Sequence, residues 1–78
     1  MGEKKLVLEK AELKNLDFSK SEYEYFIENC NFTDRQKDIL DLRRKGKTYV
    51  EISMKLFISE ATVKREIKRI KYKILKLI

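Results

Sequence analysis

The sequence predicts a small all-α domain of about four helices, and three observations support that prediction. The chain has no proline and only two glycines in 78 residues, so it offers few of the breakers that a turn-rich β-sandwich needs. Charged residues make up 41% of the chain and apolar residues 42%, a balance typical of solvated helices around a small core. Aliphatic residues near the C-terminus recur three and four positions apart, which is the helical period.

Length, cysteine content and hydropathy limit the class of protein. A chain of 78 residues fits one domain with a small core. The single cysteine, Cys30, excludes an internal disulfide and, with no histidine in the chain, has no metal-ligand set around it. No apolar run approaches the roughly 20 residues of a membrane span, and Met1–Glu9 is too short and too charged for a signal peptide. We expect a cytoplasmic protein without cofactor or metal.

Charge is distributed unevenly along the chain. Residues 1–32 carry five lysines against seven acidic residues, a balance of −2. Residues 33–78 carry fourteen lysines and arginines against six acidic residues, a balance of +8. This asymmetry predicts a polyanion-binding part, 33–78, beside an acidic segment, 1–32, that serves packing or dimerisation. The alternative is that the lysines merely decorate a solvated surface.

The first 18 residues are the least predictable part. Residues 4–9 are compatible with a short strand and residues 9–15 with a helix. The apolar residues here are too numerous for a disordered tail, so we expect them to pack on the domain or on a second copy of it. They are Leu6, Leu8, Leu13, Leu16 and Phe18.

The segment from Ser19 to Cys30 predicts a helix that begins at a capping box on either Ser19 or Ser21. Asn29 or Asn31 is expected to end it in a left-handed conformation. Its aromatic residues can be interpreted as a stacking platform for bases or as core, and aromatic residues at helical spacing are more often core. The residues predicted on one face are Tyr23, Phe26, Ile27 and Cys30.

The next helix has consistent start and stop signals. Thr33 and Gln36 form a capping box, and Gly46 is suited to the left-handed position after the last turn. Asp34 lies in the first turn and basic residues lie in the last, as the helix dipole favours. The residues predicted to face inward are Ile39, Leu40 and Leu42.

The stretch from Gly46 to Ile74 predicts two helices joined by a tight turn. Thr48 and Glu51 form a capping box, Phe57 and Ile58 interrupt the periodicity, and Ser59 offers a second cap. The inward positions of the second helix are Val63, Ile67, Ile70 and Ile74. Two capped helices with a short connection make a helix-turn-helix, whose second helix enters the major groove of DNA.

This stretch resembles a known family. Thr48 to Ser53, followed by Leu-Phe-Ile-Ser-Glu-Ala-Thr-Val-Lys from Leu56 to Lys64, is similar to the LuxR/GerE-type helix-turn-helix, and Phe32 to Leu42 is similar to that family's leading helix. Sigma-factor region four is a related motif. The resemblance implies sequence-specific binding of double-stranded DNA by a nucleoid-associated transcription regulator of bacterial type. It further implies that Lys64, Arg65 and Lys68 face the groove.

The sequence departs from the family pattern in three places. Glu66 stands where the family usually has histidine, and residues 73–78 replace the customary glycine after the recognition helix. The sequence then ends before the family's fourth helix, which is often a dimer contact, so dimer geometry is not carried over.

The contact residues follow from the predicted recognition helix, residues 60–74. Arg65 suits guanine because its planar fork can donate to O6 and N7 together. Ala61 and the Thr62 methyl group suit a thymine methyl, and the amides above Ser59, with the hydroxyls of Ser59 and Thr62, suit a phosphate. The remaining predicted contacts, mainly with phosphates, are Lys47, Thr48, Tyr49, Lys55, Lys64, Lys68, Arg69, Lys71 and Lys73. Glu66 is interpreted as a surface ion-pair partner of Arg69 or Arg65, or alternatively as an acceptor for cytosine.

Other functions have less support in the sequence. Residues 63–78 form a basic amphipathic helix that could dock into a partner protein or lie on anionic lipid, but the small core needs its apolar face. Single-stranded RNA binding lacks a recognisable aromatic-bearing sheet. An enzyme is not expected, since histidine, a glycine-rich phosphate loop and a recognisable acid pair are all absent from the sequence.

A homodimer is one of two explanations for the apolar tail. Its residues Ile74, Leu75, Leu77 and Ile78, together with the N-terminal leucines, can form a seam between two copies. Pairing on two half-sites would raise the affinity of such a small module for DNA. The alternative is that the two ends pack on each other within one chain.

Overall fold

The computed structural model describes Leu16 and residues 18–77, and this part of the chain forms four helices. They are α1, Lys20–Asn29; α2, Asp34–Arg44; α3, Tyr49–Leu56; and α4, Glu60–Leu77. No strand occurs among the described residues, and the all-α prediction is confirmed. The strand and helix predicted for residues 4–15 lie outside the described part of the chain.

Capping boxes start the first three helices. They are the pairs Ser19–Glu22, Thr33–Gln36 and Thr48–Glu51. In each pair the hydroxyl accepts a hydrogen bond from the backbone N–H three residues on, at 3.1–3.2 Å. In return, the glutamate or glutamine side chain of the pair accepts a hydrogen bond from the backbone N–H of the capping residue, at 2.8–3.1 Å. Two otherwise unpaired amides are satisfied at the start of each of these three helices, so the capping pairs mark where the helices begin.

Gly46 ends α2 as predicted, with a φ of +87°. The Lys47 N–H donates to the Leu42 carbonyl at 3.1 Å, and the Gly46 N–H donates to the Arg43 carbonyl at 3.0 Å. This pair of bonds is the Schellman arrangement, which turns the chain sharply toward α3. The left-handed conformation needed there is one that glycine adopts without steric cost.

The end of α1 differs from the prediction of a left-handed asparagine. Cys30, which follows the helix, is extended with a φ of −105°, and neither Asn29 nor Asn31 has a positive φ. The side-chain amide of Asn29 instead donates to the Tyr25 carbonyl at 2.8 Å. Because this contact satisfies a carbonyl of the last turn, the backbone does not need to curl back to do so.

One hydrophobic cluster joins all four helices. α4 packs against both α2 and α3, and α1 packs against α2. The inward positions predicted for α2 and α4 are all buried, which confirms them. The cluster consists of Leu16, Phe18, Phe26, Cys30, Phe32, Ile39, Leu40, Leu42, Ile52, Val63, Ile67, Ile70 and Ile74.

The aromatic residues of α1 belong mainly to this core. Phe26 is fully buried and lies 4.9 Å from the Phe18 ring, centroid to centroid. The Tyr23 hydroxyl donates to the Lys37 carbonyl at 3.5 Å, and the Arg44 guanidinium lies over its ring. Burial raises the pKa of Tyr23 above its ordinary value. Core packing is therefore confirmed for Tyr23 and Phe26, which are unavailable for stacking on bases.

Cys30 is buried, as expected for a packing residue. Its Sγ lies 3.8 Å from the Lys73 carbonyl oxygen. Burial raises the pKa of the thiol, and the nearby Lys73 ammonium opposes that rise. A buried thiol with a raised pKa is a poor nucleophile, so packing accounts for this residue.

The predicted dimer seam is wrong for at least one of its residues. Ile74 is 0% exposed and belongs to the core of the single chain, and Leu77 packs partly against the same cluster. Only Leu75 of the described tail residues is markedly exposed, at 54%. Ile78 lies outside the described residues. The cause is helical period: Ile74 continues the stripe of Ile67 and Ile70, which the domain itself needs to bury.

Candidate nucleic-acid interface

A tight turn separates α3 from α4. Phe57 adopts a left-handed conformation, with φ 57° and ψ 45°, and the Ile58 N–H donates back to the Ser53 carbonyl at 3.0 Å. The helix α4 then begins at Glu60, and Ser59 caps it, with its Oγ accepting from the Thr62 N–H at 3.1 Å. The two helices are therefore distinct and joined at a corner, which is the geometry of a helix-turn-helix.

The outer face of α4 carries most of the predicted contact residues. Because Val63, Ile67 and Ile70 are buried, the helical period turns most of the positions between them toward solvent. The exposed members are Ala61, Lys64, Arg65, Lys68 and Arg69, while Thr62 and Lys71 are half-buried. Ala61, Arg65 and Lys68 are spaced four and three residues apart, so they lie in one row that starts at the N-terminal end of α4.

α3 and the two residues before it supply a second group of predicted contacts. Lys47, Thr48 and Lys55 are exposed, whereas Tyr49 is half-buried and packs against the core. The Arg43 guanidinium lies 5.0 Å above the Tyr49 ring, and its Nη1 donates to the Lys47 carbonyl at 2.6 Å. Arg43 thus fixes the segment that leads into α3, a role that its position in the last turn of α2 did not predict.

The N-terminal end of α4 concentrates hydrogen-bond donors. The hydroxyl oxygens of Ser59 and Thr62 lie 2.9 Å apart. The first backbone amides of a helix point outward along its axis, and the helix dipole makes this end attractive to anions. Both hydroxyls are therefore close to the amides that a phosphate oxygen would use.

Glu66 is not the surface residue that the sequence suggested. It is 9% exposed, and its Oε1 accepts from Nε2 of Gln36 on α2 at 3.0 Å. Its Oε2 pairs with Arg69 Nη1 at 3.3 Å, so the predicted partner is confirmed while the surface location is wrong. The signal was present in the spacing: Glu66 lies three residues after Val63 and four before Ile70, which puts it on the inward side.

Lys73 also differs from its predicted role as a phosphate contact. Its ammonium donates to the Asn31 carbonyl at 2.6 Å and to Oε1 of Gln36 at 2.7 Å. It also lies 5.7 Å from the centroid of the Phe32 ring. The Lys73 side chain is therefore engaged with the chain around the start of α2 and does not extend the outer row of α4.

Among residues 16 and 18–77, no group of three or more Cys, Asp or Glu side chains could hold a metal ion. None of the four described helices is long and apolar enough to cross a membrane.

Two capped helices joined at a left-handed corner, the second with a cationic outer face, define the class of helix-turn-helix proteins. A family model described as bacterial regulatory proteins, luxR family (GerE), matches residues 30–75 of the 78. The chain therefore belongs to this family and carries its DNA-binding helix-turn-helix. Comparisons with curated proteins and with solved structures gave no match.

Proposed function

We propose that the protein is a transcription regulator that binds double-stranded DNA with sequence specificity, with α4 in the major groove. The row formed by Ala61, Arg65 and Lys68 carries this proposal, because it lies on the exposed side of α4 and begins at the helix end that enters the groove. Arg65 contacts guanine through its fork, and Ala61 contacts a thymine methyl group.

The flanking cations hold the protein on the phosphate backbone. Lys47, Thr48 and Lys55 are exposed around α3, which in this geometry crosses one strand of the duplex. The hydroxyls of Ser59 and Thr62 face a second phosphate at the start of α4. The remaining proposed phosphate contacts are Tyr49, Lys64, Lys68, Arg69 and Lys71.

Docking of α4 on a lipid surface or in a partner's groove is disfavoured by burial. That alternative needs the apolar face of the helix, and Val63, Ile70 and Ile74 on that face are all 0% exposed. Releasing them would remove the interior of the domain and unfold it. The cationic side remains available without any rearrangement.

A titration at several salt concentrations tests the proposal against these alternatives. The intact chain is mixed with labelled duplex DNA, single-stranded RNA and vesicles of anionic phospholipid. For about five phosphate contacts on duplex DNA, log K should fall with log salt at a slope of about −4 to −5. Tighter binding to the vesicles or to RNA would refute the proposed function.

Sequence specificity requires a second step. Duplexes selected by the protein from a random pool are sequenced, and the affinity for the selected site is compared with that for a scrambled duplex of equal length. A preference of about a thousandfold or more is typical of specific recognition. A pool that never converges would leave general DNA binding but refute the proposed base contacts.

A further inference from the structure

A polar network links α2 to the recognition helix inside the protein. Gln36 is 3% exposed and Glu66 is 9% exposed, although both side chains are polar. Their hydrogen bond, Nε2 to Oε1, measures 3.0 Å and joins residues 30 positions apart in the chain. Lys73 and Arg69 attach to its two ends, at 2.7 Å to Gln36 Oε1 and 3.3 Å to Glu66 Oε2.

The direction of every bond in this network is determined by chemistry. Gln36 Oε1 receives the Thr33 N–H at 3.1 Å and the Lys73 ammonium, and both of these groups can only donate. The Gln36 amide therefore cannot be flipped, and its Nε2 must donate to Glu66. Glu66 in turn faces a donor at each oxygen, Gln36 at one and Arg69 at the other. Each oxygen of Glu66 therefore acts as an acceptor in this network.

Directional bonds constrain helix rotation in a way that apolar contacts do not. The aliphatic residues of α4 are held by burial, which is non-directional and changes little when the helix turns slightly about its axis. A hydrogen bond weakens steeply once its angle is lost. We propose that the Gln36–Glu66 contact sets the rotation of α4, and that Glu66 is a specificity-determining positioning residue that does not itself touch DNA. This inference rests on the proposed function.

The consequence at the DNA surface follows from helix dimensions. Side chains extend about 6 Å from a helix axis, so a rotation of about 20° moves their ends by about 2 Å. A shift of that size breaks a bidentate contact between Arg65 and a base. Flexible lysines such as Lys64 and Lys68 can still reach a phosphate after the same shift. Loss of the contact should therefore reduce discrimination between sequences more than it reduces affinity for DNA in general.

A reciprocal exchange of the two side chains tests the inference. Gln36→Glu alone sets two carboxylates against each other. Adding Glu66→Gln restores one donor and one acceptor at the same place, and the double variant has the net charge of the original chain. Gln36→Glu should lower the ratio of selected-site to scrambled-site affinity at least about tenfold. The double variant should return to within about twofold of the original ratio.

Two further variants distinguish an effect of helix position from an effect of the Glu66 charge and from a loss of folding. Glu66→Gln alone keeps an acceptor for Gln36, so it should preserve the affinity ratio while general affinity for DNA rises with the lost negative charge. Glu66→Leu keeps the bulk of the side chain but removes the acceptor, so it should lower the ratio of selected-site to scrambled-site affinity as Gln36→Glu does. This variant still tests the inference if Gln36→Glu fails to fold. Circular dichroism confirms that each compared variant is helical. Unchanged ratios in Glu66→Leu, or a folded double variant that does not recover, would overturn the inference.

A measurement without DNA distinguishes a failure of the positioning inference from a failure of the proposed function. Spin labels at Asp38 on α2 and Lys68 on α4, in a Cys30→Ala background, report the rotation as an interhelical distance. Glu66→Leu should shift that distance by about 2 Å, and Glu66→Gln should leave it in place. If the original chain does not prefer any duplex, the proposed function fails while this distance still reports on the positioning. If the distance is equal in all variants, the positioning inference is wrong whatever the DNA experiments show.

Discussion

At the residue scale, Phe57 combines two unfavourable features at the corner of the helix-turn-helix. Its backbone is left-handed, with a φ of 57°, a conformation that costs a side chain with a Cβ about 1–2 kcal/mol. Its ring is 93% exposed, so little burial offsets that cost. Gly46 occupies a corresponding left-handed position after α2, with a φ of 87°, and incurs no such penalty.

Replacing Phe57 with glycine should therefore stabilise the protein. Relief of the backbone strain exceeds the extra chain entropy that glycine loses on folding, and we expect a gain of about 0.5–1 kcal/mol in the free energy of unfolding. For a domain of this size the melting temperature should rise by about 4 °C, which a thermal melt followed by circular dichroism measures.

The matched control is Gly46→Ala. A Cβ at Gly46 would meet no atom within 4 Å, so only the backbone conformation changes the energy. This variant should lose about 1 kcal/mol. Phe57→Gly proving as destabilising as Gly46→Ala would mean that the exposed ring makes a stabilising contact after all.

At the element scale, α4 carries two kinds of cation with different expected effects. Arg65→Ala should cost about 1–3 kcal/mol on the selected DNA site and little on random DNA, because a bidentate base contact is lost. Lys68→Ala should weaken binding to all sequences about equally and reduce the slope of log K against log salt by about 1, because a phosphate contact is lost. Competition titrations with both duplexes measure the two effects. Identical behaviour of the two variants would show that the base-contacting residues are misassigned.

The capping box of α3 should make part of the stability depend on pH. Hydrogen bonds from the Thr48 N–H and then the Thr48 hydroxyl hold the pKa of Glu51 below its ordinary value. A carboxyl group with a lowered pKa in the folded state stabilises the protein above its unfolded pKa, and this contribution is lost as the pH falls through the folded value. Glu51→Gln keeps the acceptor without the charge.

Urea unfolding of the original protein and of Glu51→Gln, between about pH 6 and pH 3, measures how their free energies of unfolding depend on pH. Glu51→Gln should be the less stable of the two at the upper end, and the difference should shrink as the solution is acidified. A difference that stays constant over the whole range would assign the stabilisation to a group other than the Glu51 carboxylate.

The elements themselves were largely predictable, because each is specified by neighbouring residues. Thr33 with Gln36 and Thr48 with Glu51 mark helix starts through bonds three residues apart, and these are visible in the sequence. Contacts between residues far apart in the chain could not be predicted from such local pairs. The bond from Gln36 to Glu66 depends on how α2 crosses α4, and a charged residue on an amphipathic helix is ordinarily assigned to the surface.

At the scale of the whole molecule, one small core needs apolar residues from every described helix. The chain buries 13 hydrophobic residues in one cluster among those described, and these come from all four helices and from the segments on either side of α1. Leu16 and Phe18 lie in that cluster, as does Ile74 near the other end. The sequence assigns Ile74 both to the inward stripe of its helix and to a possible seam between two copies, because an aliphatic residue at the end of a helix can serve in either place; its full burial decides for the core.

Separate substitutions of Ile74 and Leu75 test which of the two residues stabilises the single chain. Ile74→Ala opens a cavity at a fully buried site, so it should cost about 2–5 kcal/mol, a large share of the stability of so small a domain. Leu75→Ala changes a side chain that is 54% exposed and should cost less than about 0.5 kcal/mol. Urea unfolding at two protein concentrations measures both values. Equal losses, together with a transition that shifts with protein concentration, would assign Leu75 to a contact between two copies, because only association makes the midpoint concentration-dependent.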